Sequence, residues 1–493
     1  MKKYDLLKVL GIAFLILVVL SWIIVPGTIS SGEFTSGETT APLGIFDLFR
    51  LPVITFGTFF QYGIIILLIG GLYGVMNKTG VYGKLIEGVK NKFKGKEKRF
   101  LIISMIVLIV LSSLTALTWV LFILVPFLVA VLLNMKYDKV TALAATVGAI
   151  LIGSIGCTYG FGINGYIINL FSIDVHYEII TKIVLLAVLS VIYIGFVIKM
   201  ANKKENVKEV ASEKTKKKTK KADDKKEEKT KEIIDIPLYV KGEAKDRSAW
   251  PLVIVVLFSV VLLLVGMYNF YYSFGFEGFQ DFHTKITEFE VGGYAIFAKL
   301  LGTVNALGYW SNYELCSIIL LATIVIALIY GVKLNDMIDG FVSGIKEMLR
   351  PALYAVLASI IFAFMITSGT GYTICDTIVN WILSISENFN AFLSTIAAGI
   401  GSLFYNDFYY LIYSVTGYYQ ATGVDANNLS VLGIIYQVIY GLFMLFLPTS
   451  ILLIAGLSYL KVSYKEWMKY IWKLLLALLV VIIIVIVVVA IFA

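Results

Sequence analysis

Two apolar stretches of this chain share an unusual arrangement. Residues 101–134 and 389–420 are each apolar enough to enter a membrane. The first is too long for one crossing and lacks the polar turn that two full crossings would need. Basic segments flank both ends of the first stretch, whereas segments without Lys or Arg flank both ends of the second. The pattern therefore predicts two re-entrant hairpins that enter the bilayer from opposite sides.

Polar patches inside these stretches predict where the hairpins turn. The first patch is residues 112–119 and the second is residues 402–407. A polar patch deep in an apolar hairpin is costly unless it meets protein, water or a ligand. The candidate binding residues at the two turns are therefore Ser112, Ser113, Thr115, Thr118, Tyr405, Asn406 and Asp407.

The other apolar runs predict membrane spans and their direction. They lie at about residues 8–25, 57–76, 178–199, 250–272, 313–332 and 352–367, and a last run follows Lys473 and ends at 493. No small-residue cleavage site follows the first run, so we interpret it as a retained span and not as a signal peptide. Lys2, Lys3 and Lys8 precede this run or begin it, and residues 27–44 contain no Lys or Arg. Positive-inside counting therefore places the N-terminus in the cytoplasm.

Two further runs, residues 141–171 and 429–460, predict membrane helices that are broken midway. Residues 153–165 contain five glycines, and Pro448 removes a backbone donor from the second run. Freed carbonyls and nearby hydroxyls can hold Na⁺, and half-helix N-termini can hold a carboxylate. The alternative is that the glycines serve close helix packing and the hydroxyls bond back to their own helix. The candidate residues at the breaks are Thr158, Asn164, Thr449 and Ser450, with Na⁺ predicted near Asn164, Asn406 and Thr449.

The two halves of the chain repeat the same spacing. From the end of a span to the hairpin turn is 37 residues in both halves, 78 to 115 and 368 to 405. From the turn to the next helix break is 44 residues in the first half and 43 in the second. Because the flanking charges of the two hairpins are opposite, the spacing predicts an inverted repeat.

Composition and charge define the class and the domains. The chain has 493 residues, of which 59% are hydrophobic, and a mean hydropathy of +0.88, which is typical of a polytopic membrane protein. Residues 199–247 hold 17 Lys or Arg and 11 Asp or Glu, so most of the net charge of +8 lies there. We predict a first membrane repeat at 1–199, a charged cytoplasmic linker at 200–248 and a second repeat at 249–493. Such a linker suits anionic lipid better than nucleic acid.

Asp407 is the notable ionisable residue in the hairpins, and two interpretations of it stay open. At a turn deep in the bilayer it would be a coupling-ion ligand or a proton carrier. With a different hairpin boundary it would lie in a solvated loop. Asp376, Lys299 and Glu314 are predicted at the membrane interface, and the tyrosines around the second turn are predicted to serve lining and packing.

Short motifs resemble those of the ion transporter superfamily, most closely its YfcC-like branch of C4-dicarboxylate and basic amino-acid carriers. They are residues 69–80, Asp376-Thr377-Ile378, and Pro448-Thr449-Ser450 with the following Gly456, Tyr464 and Trp467. The order of elements agrees over nearly the full length, apart from the lysine-rich linker. The resemblance implies an all-α polytopic membrane protein, an inverted-repeat elevator-type transporter with two re-entrant hairpins and two broken transmembrane helices. It also implies a homodimer.

The chain departs from that family's expected pattern at the presumed site. Thr118-Trp119 stand where paired glutamates are expected, and Gly162-Ile163-Asn164 stand where an Asn-Pro pair is expected. The second turn has Phe404 to Asp407 in place of a Ser-Gly-rich segment. The resemblance therefore supports fold and transport class more strongly than a particular solute.

Taken together, these patterns predict a secondary active transporter of a small organic solute, a carboxylate or an amino acid, in the cytoplasmic membrane. Transport is coupled to Na⁺ or H⁺ or works by exchange, and no organic cofactor is expected. The sequence contains no P-loop and no nucleophile, base and orienting residue together in an apolar segment, so we predict no ATPase and no enzyme. The alternative is a divergent, non-transporting membrane scaffold or sensor.

Overall fold

The computed structural model describes residues 5–30, 33–36, 42–219, 236–240, 246–366, 373–386 and 388–492. Within these residues the chain is helical apart from one short antiparallel hairpin. Of the predicted linker, residues 220–235 and 241–245 lie outside the described residues. Ser368, the span end used in the repeat spacing, also lies outside them.

Eight helices in the described residues are long and apolar enough to cross a membrane. In lipid a helix satisfies its backbone hydrogen bonds internally, which is why these apolar sequences adopt it. The chain is therefore a helical, multi-pass membrane protein. The eight segments are Asp5–Ile23, Asp47–Lys78, Glu97–Thr115, Ile179–Ala201, Trp250–Met267, Asn312–Ile329, Ala426–Met444 and Tyr464–Phe492.

The first part of the chain leads into the first predicted hairpin. It comprises α1 (Asp5–Ile23), the strands β1 (Gly27–Ser30) and β2 (Glu33–Ser36), α2 (Asp47–Lys78) and α3 (Tyr82–Lys92). The hairpin stretch follows as α4 (Glu97–Thr115), α5 (Thr118–Phe122) and α6 (Val125–Asn134). Ala116, with φ of 53°, ends α4 in the left-handed conformation. The helix thus stops inside the predicted turn at residues 112–119.

The next segment is interrupted where the glycines cluster. It contains α7 (Lys139–Leu143), a π-helical segment (Ala144–Gly148) and α8 (Ala149–Ile155), and it resumes with a second π-helical segment (Phe161–Gly165) and α9 (Tyr166–Phe171). The side chain of Asp138 caps the start by accepting a hydrogen bond from the Thr141 N–H at 2.7 Å. The long helix α10 (Ile179–Thr219) completes this half.

The second half begins with two spans joined by short helices. These are α11 (Trp250–Met267), α12 (Phe270–Phe274), α13 (Gly278–Thr287), α14 (Ile296–Leu301) and α15 (Asn312–Ile329). A capping box of Ser311 and Glu314 starts α15. The next helix, α16 (Leu334–Ile366), begins well before the span predicted from residue 352. Its first half is amphipathic and carries charged residues, so a search for apolar runs alone does not detect it as a helix.

The remaining helices contain the second predicted hairpin and the second broken helix. They are α17 (Ile374–Leu383), α18 (Ala391–Phe404), α19 (Phe408–Ala421), α20 (Ala426–Met444), α21 (Ile451–Leu460) and α22 (Tyr464–Phe492). Interruptions lie at residues 405–407 and 445–450. The side chains of Asn390, Asp407 and Asp425 cap α18, α19 and α20.

Four glycines allow α2 and α16 to cross in close contact. Gly70 and Gly74 on α2 face Gly344 and Gly340 on α16, and a Cβ at Gly74 would overlap the Gly340 carbonyl. Each pair is spaced as Gly-x-x-x-Gly, the pattern that lets membrane helices approach backbone to backbone. This crossing joins a helix of the first half to a helix of the second.

Residues 236–240, near the end of the predicted linker, contact both halves of the chain. The Leu238 N–H donates to a carboxylate oxygen of Glu347 on α16 at 2.6 Å. The side-chain N–H of Asn77 on α2 donates to the Leu238 carbonyl at 3.0 Å. Leu238 itself is buried. The end of the linker is therefore packed against the same two helices as the glycine crossing.

We expect Gly74→Ala to destabilise the protein, because the added methyl group overlaps the Gly340 backbone and must push α2 and α16 apart. Overpacking of this kind costs about 1–3 kcal/mol. Gly57→Ala is the matched control, since Gly57 lies on the same helix with no atom within 4 Å of an added Cβ. Thermal unfolding of the purified protein in detergent checks this. Equal melting temperatures of the two variants would contradict the close crossing.

Candidate functional site

The first hairpin turn is bonded to the interruption of the first broken helix. We call residues 112–119 the first tip and residues 156–160 the first break. The Ser113 hydroxyl donates to the Gly156 carbonyl at 2.6 Å, and the Ser113 carbonyl accepts from the N–H groups of Thr158 and Gly160 at 3.0 and 3.2 Å. Ser112 donates to the Ile150 carbonyl at 2.7 Å. The first tip therefore supplies partners for backbone groups that the helix has lost.

Every backbone carbonyl from Ile155 to Gly160 accepts a hydrogen bond. Gln437 on α20 donates to two of them, those of Ile155 at 3.0 Å and Cys157 at 2.8 Å. The other donors are Ser113 to Gly156, the Asn164 side chain to Thr158, the Tyr268 hydroxyl to Tyr159 and the Asn164 backbone N–H to Gly160. The unwound backbone at the first break is thus satisfied by the protein itself.

Asn164 connects the first break to a buried lysine through hydrogen bonds. Its side-chain N–H donates to the Thr158 carbonyl, while its Oδ1 accepts from the Tyr177 hydroxyl at 2.9 Å and from Lys182 Nζ at 3.0 Å. Lys182 is 0% exposed, and its Nζ lies 3.2 Å from the centre of the Tyr177 ring. The Lys182 amino nitrogen therefore lies where the sequence predicted Na⁺ near Asn164.

The second tip, residues 405–407, contacts the second break, residues 445–450. The Asn406 side chain donates to the Ala358 carbonyl on α16 at 2.7 Å and to the Thr449 carbonyl at 3.4 Å. The Asn406 carbonyl accepts from the Tyr440 hydroxyl at 2.9 Å. Tyr440 follows Gln437 by about one turn of α20, so one helix contacts both the first break and the second tip.

The second break retains polar atoms that face no donor. Trp467 and Tyr464 donate to the carbonyls of Leu445 and Phe446 at 2.8 and 2.6 Å, which explains why these two residues belong to the motif after Pro448. Thr449 is buried, and its hydroxyl has no hydrogen-bond partner among the described residues. The following helix α21 starts at Ser450 without a side-chain cap. The first N–H groups of a helix have no partner within that helix, and together with an unpartnered hydroxyl they suit an anion.

Two acidic residues lie beside the second tip. The Tyr405 hydroxyl is 3.0 Å from Asp376 Oδ1 and 2.8 Å from the Thr373 hydroxyl, and all three residues are buried. Asp376 and Thr373 form a capping box at the start of α17. Asp407 is half-buried and caps α19 by accepting from the Tyr409 N–H at 2.9 Å. Among the described residues, no Lys, Arg or His nitrogen lies within 4.0 Å of its carboxylate.

The structure brings together most, but not all, of the predicted residues. Ser112, Ser113, Thr158 and Asn164 form one cluster, and Asn406 with Thr449 forms another. Thr115 bonds back to Leu111 on its own helix at 2.7 Å. The other predicted residues lie next to these clusters, with Thr118 first in α5, Ser450 buried before α21, Tyr405 against Asp376, and Asp407 at the start of α19.

The sequence analysis missed Lys182 and Gln437. Gln437 is an amide inside an apolar run, and Lys182 is a lysine near the start of another, four residues after Glu178. Their polar side chains were the only signal that could have indicated them. Among the described residues no group of three or more His, Cys, Asp or Glu side chains is placed to hold a metal ion. A small surface cleft lies at the start of α18, beside Asn390, Ser394 and Tyr419, and not at the second tip.

The described helices, tips and breaks define a membrane protein of transporter type, and comparison with known proteins assigns the family. Residues 55–412 and 421–491 match the C4-dicarboxylate anaerobic carrier family, DcuC. The chain belongs to this family, which confirms the resemblance seen in the sequence. Its members are carriers, so the protein is a membrane transporter and not an enzyme.

Two further comparisons add little to this assignment. Comparison with curated proteins finds no match. The chain is similar to the crystal structure of the YdaH transporter of Alcanivorax borkumensis, with 14% identity over 98% of this chain and 97% of the other and a TM-score of 0.36. At that score the two structures differ too much for the comparison to bear on the site.

We expect Ser113→Ala to loosen the contact between the first tip and the first break. The variant leaves the buried Gly156 carbonyl without its donor, which costs about 1–3 kcal/mol. Ser190→Ala is the control, because Ser190 bonds back to Leu186 within α10 at 2.6 Å. Thermal unfolding in detergent compares the two variants. A Ser113→Ala protein as stable as Ser190→Ala would show that the contact does not stabilise the fold.

Proposed function

We propose that this protein is a secondary active carrier of C4-dicarboxylates across the cytoplasmic membrane, coupled to a Na⁺ or H⁺ gradient or working by exchange. The observation that carries the proposal is the family match, because the matched residues include both tips and both breaks. The name of the family supports a carboxylate over the amino acid that the sequence also allowed. The orientation with a cytoplasmic N-terminus and the homodimer are parts of the same proposal.

The second break is the proposed position of a solute carboxylate. The uncapped start of α21 offers backbone N–H groups and the partial positive charge of a helix N-terminus. The buried Thr449 hydroxyl adjoins it, and Asn406 of the second tip contacts the Thr449 carbonyl. These groups together resemble the half-helix sites that hold carboxylates in other transporters with broken helices.

The movement we propose is of the elevator type, with two re-entrant hairpins in an inverted repeat. In support, each tip is bonded to the break of its own half, Ser113 to Gly156 and Asn406 to Thr449. Gln437 and Tyr440 on α20 then connect the first break with the second tip. A body held together in this way can move as a unit.

Asp407 is the proposed coupling residue. It is the acidic residue of the second tip, and no basic side chain of the described residues forms an ion pair with it. A carboxylate in such a setting can bind H⁺ or Na⁺ when the solute binds and release it on the other side of the membrane. The Na⁺ proposed near Asn406 and Thr449 would lie next to it.

Uptake into proteoliposomes tests the function. We expect the protein to accumulate radiolabelled succinate, used as a C4-dicarboxylate probe, under an imposed Na⁺ or H⁺ gradient or against internal succinate. Thr449→Val removes the hydroxyl at nearly constant volume and should lower uptake by roughly tenfold, the effect of losing one good hydrogen bond to a charged group. Thr395→Val is the control, because Thr395 bonds back to Ala391 within α18 at 2.7 Å.

The same assay distinguishes the alternatives. No uptake or exchange of any C4-dicarboxylate above protein-free liposomes would contradict the carrier function. Specific succinate binding without flux would favour the non-transporting sensor. Equal uptake by the Thr449→Val and Thr395→Val proteins would show that the Thr449 hydroxyl does not bind the solute. The carrier function itself would not be contradicted by that result.

A further inference from the structure

Lys182 is a buried lysine that the proposed transport cycle does not use. It lies in the first turn of α10, where a lysine normally extends its ammonium group toward water. Here the side chain is fully buried, and no carboxylate oxygen of the described residues lies within 4.0 Å of its Nζ. Glu178, on the preceding turn, instead accepts a hydrogen bond from the Thr181 hydroxyl at 2.6 Å.

The surroundings of this ammonium group are those of a cation site. Nζ donates to Asn164 Oδ1 at 3.0 Å and lies over the Tyr177 ring, 3.2 Å from its centre. An amide oxygen is a ligand that an alkali cation takes in proteins, and an aromatic face stabilises a desolvated ammonium group. The Tyr177 hydroxyl occupies the second lone pair of Oδ1 with a hydrogen bond of 2.9 Å.

We propose that the Lys182 ammonium group is the resident cation of the first break. It occupies the position that a coupling cation would otherwise take. By binding Asn164 Oδ1 it also orients the carboxamide, so that Asn164 Nδ2 donates to the Thr158 carbonyl. Lys182 is thus a positioning residue for the unwound backbone. The first break does not take Na⁺ in wild-type protein.

The hydrogen bonds of the two breaks support this assignment. At the first break every carbonyl from Ile155 to Gly160 already accepts from the protein, and both lone pairs of Asn164 Oδ1 are occupied. At the second break the buried Thr449 hydroxyl has no partner among the described residues. The second break therefore has groups that can bind a mobile ion or solute. At the first break the Lys182 ammonium group takes the place of such an ion.

Removal of the ammonium group should create a cation requirement. Lys182→Ala leaves a space next to Asn164 and Tyr177 that Na⁺ or ethylammonium can enter, whereas Lys182→Met fills the same space without charge. Lys199→Ala is the matched control, because Lys199 is an exposed lysine on the same helix. The measurement is the thermal unfolding of each full-length protein in detergent with sodium, ethylammonium or choline chloride at equal ionic strength.

We expect Lys182→Ala and Lys182→Met to unfold below wild type in choline. Sodium or ethylammonium should then raise the melting temperature of Lys182→Ala by several degrees more than it raises that of wild type, Lys182→Met or Lys199→Ala. Lys182→Arg, which keeps a cation, should lie closer to wild type. These results need no transport activity, so they stay informative if the carrier function fails.

Three results would overturn the inference. The first is a Lys182→Ala protein whose melting temperature equals that of wild type in all three salts. The second is an equal response of wild type and Lys182→Ala to sodium and ethylammonium. The third is a rise in melting temperature on adding succinate that wild type shows and that neither Lys182→Ala nor Lys182→Met shows. Such a result would mean that the ammonium group pairs with the solute carboxylate. If Lys182→Ala does not fold, a Lys182→Met protein as stable as wild type overturns the inference equally.

Discussion

Backbone that leaves a helix inside a membrane must find hydrogen-bond partners within the protein, and this requirement organises the site. Lipid offers no donors or acceptors, so an unpaired carbonyl or N–H costs several kcal/mol. The first break meets the requirement with side chains from three other segments, namely Ser113 of the first tip, Gln437 of α20 and Tyr268 after α11. The second break uses Asn406, Tyr464 and Trp467. Each tip is therefore part of the structure of the break that it contacts.

The two halves use related geometry for different purposes. In the first half the polar groups bond to one another, and a lysine supplies the positive charge within the fold. In the second half a hydroxyl and the start of a helix remain available next to a carboxylate at the tip. Proteins that keep one rigid half and one adaptable half can hold a site together while its occupant changes. We propose that the first break is structural and that the second binds the transported species.

The positions of the tips and breaks are predictable from the sequence, because short local patterns determine where each helix ends. Polar tips inside apolar runs, the glycines at 153–165 and Pro448 each mark a place where a membrane helix cannot continue. Lys182 and Gln437 could not be assigned in this way. Gln437 bonds to Ile155, far away in the chain, and a single polar residue in an apolar run does not indicate its partner. The first half of α16 was not predicted as part of a helix for another reason, because its charged residues lower the local hydropathy.

Hydrogen–deuterium exchange of the wild-type protein in detergent tests the central claim most directly. If the first tip supplies the missing partners of the first break, the Thr158 and Gly160 amides, which donate to the Ser113 carbonyl, exchange as slowly as neighbouring helical amides. Peptides from the exposed loop at residues 288–295 provide the fast reference within the same sample. Exchange at residues 156–160 as fast as in that loop would contradict the account.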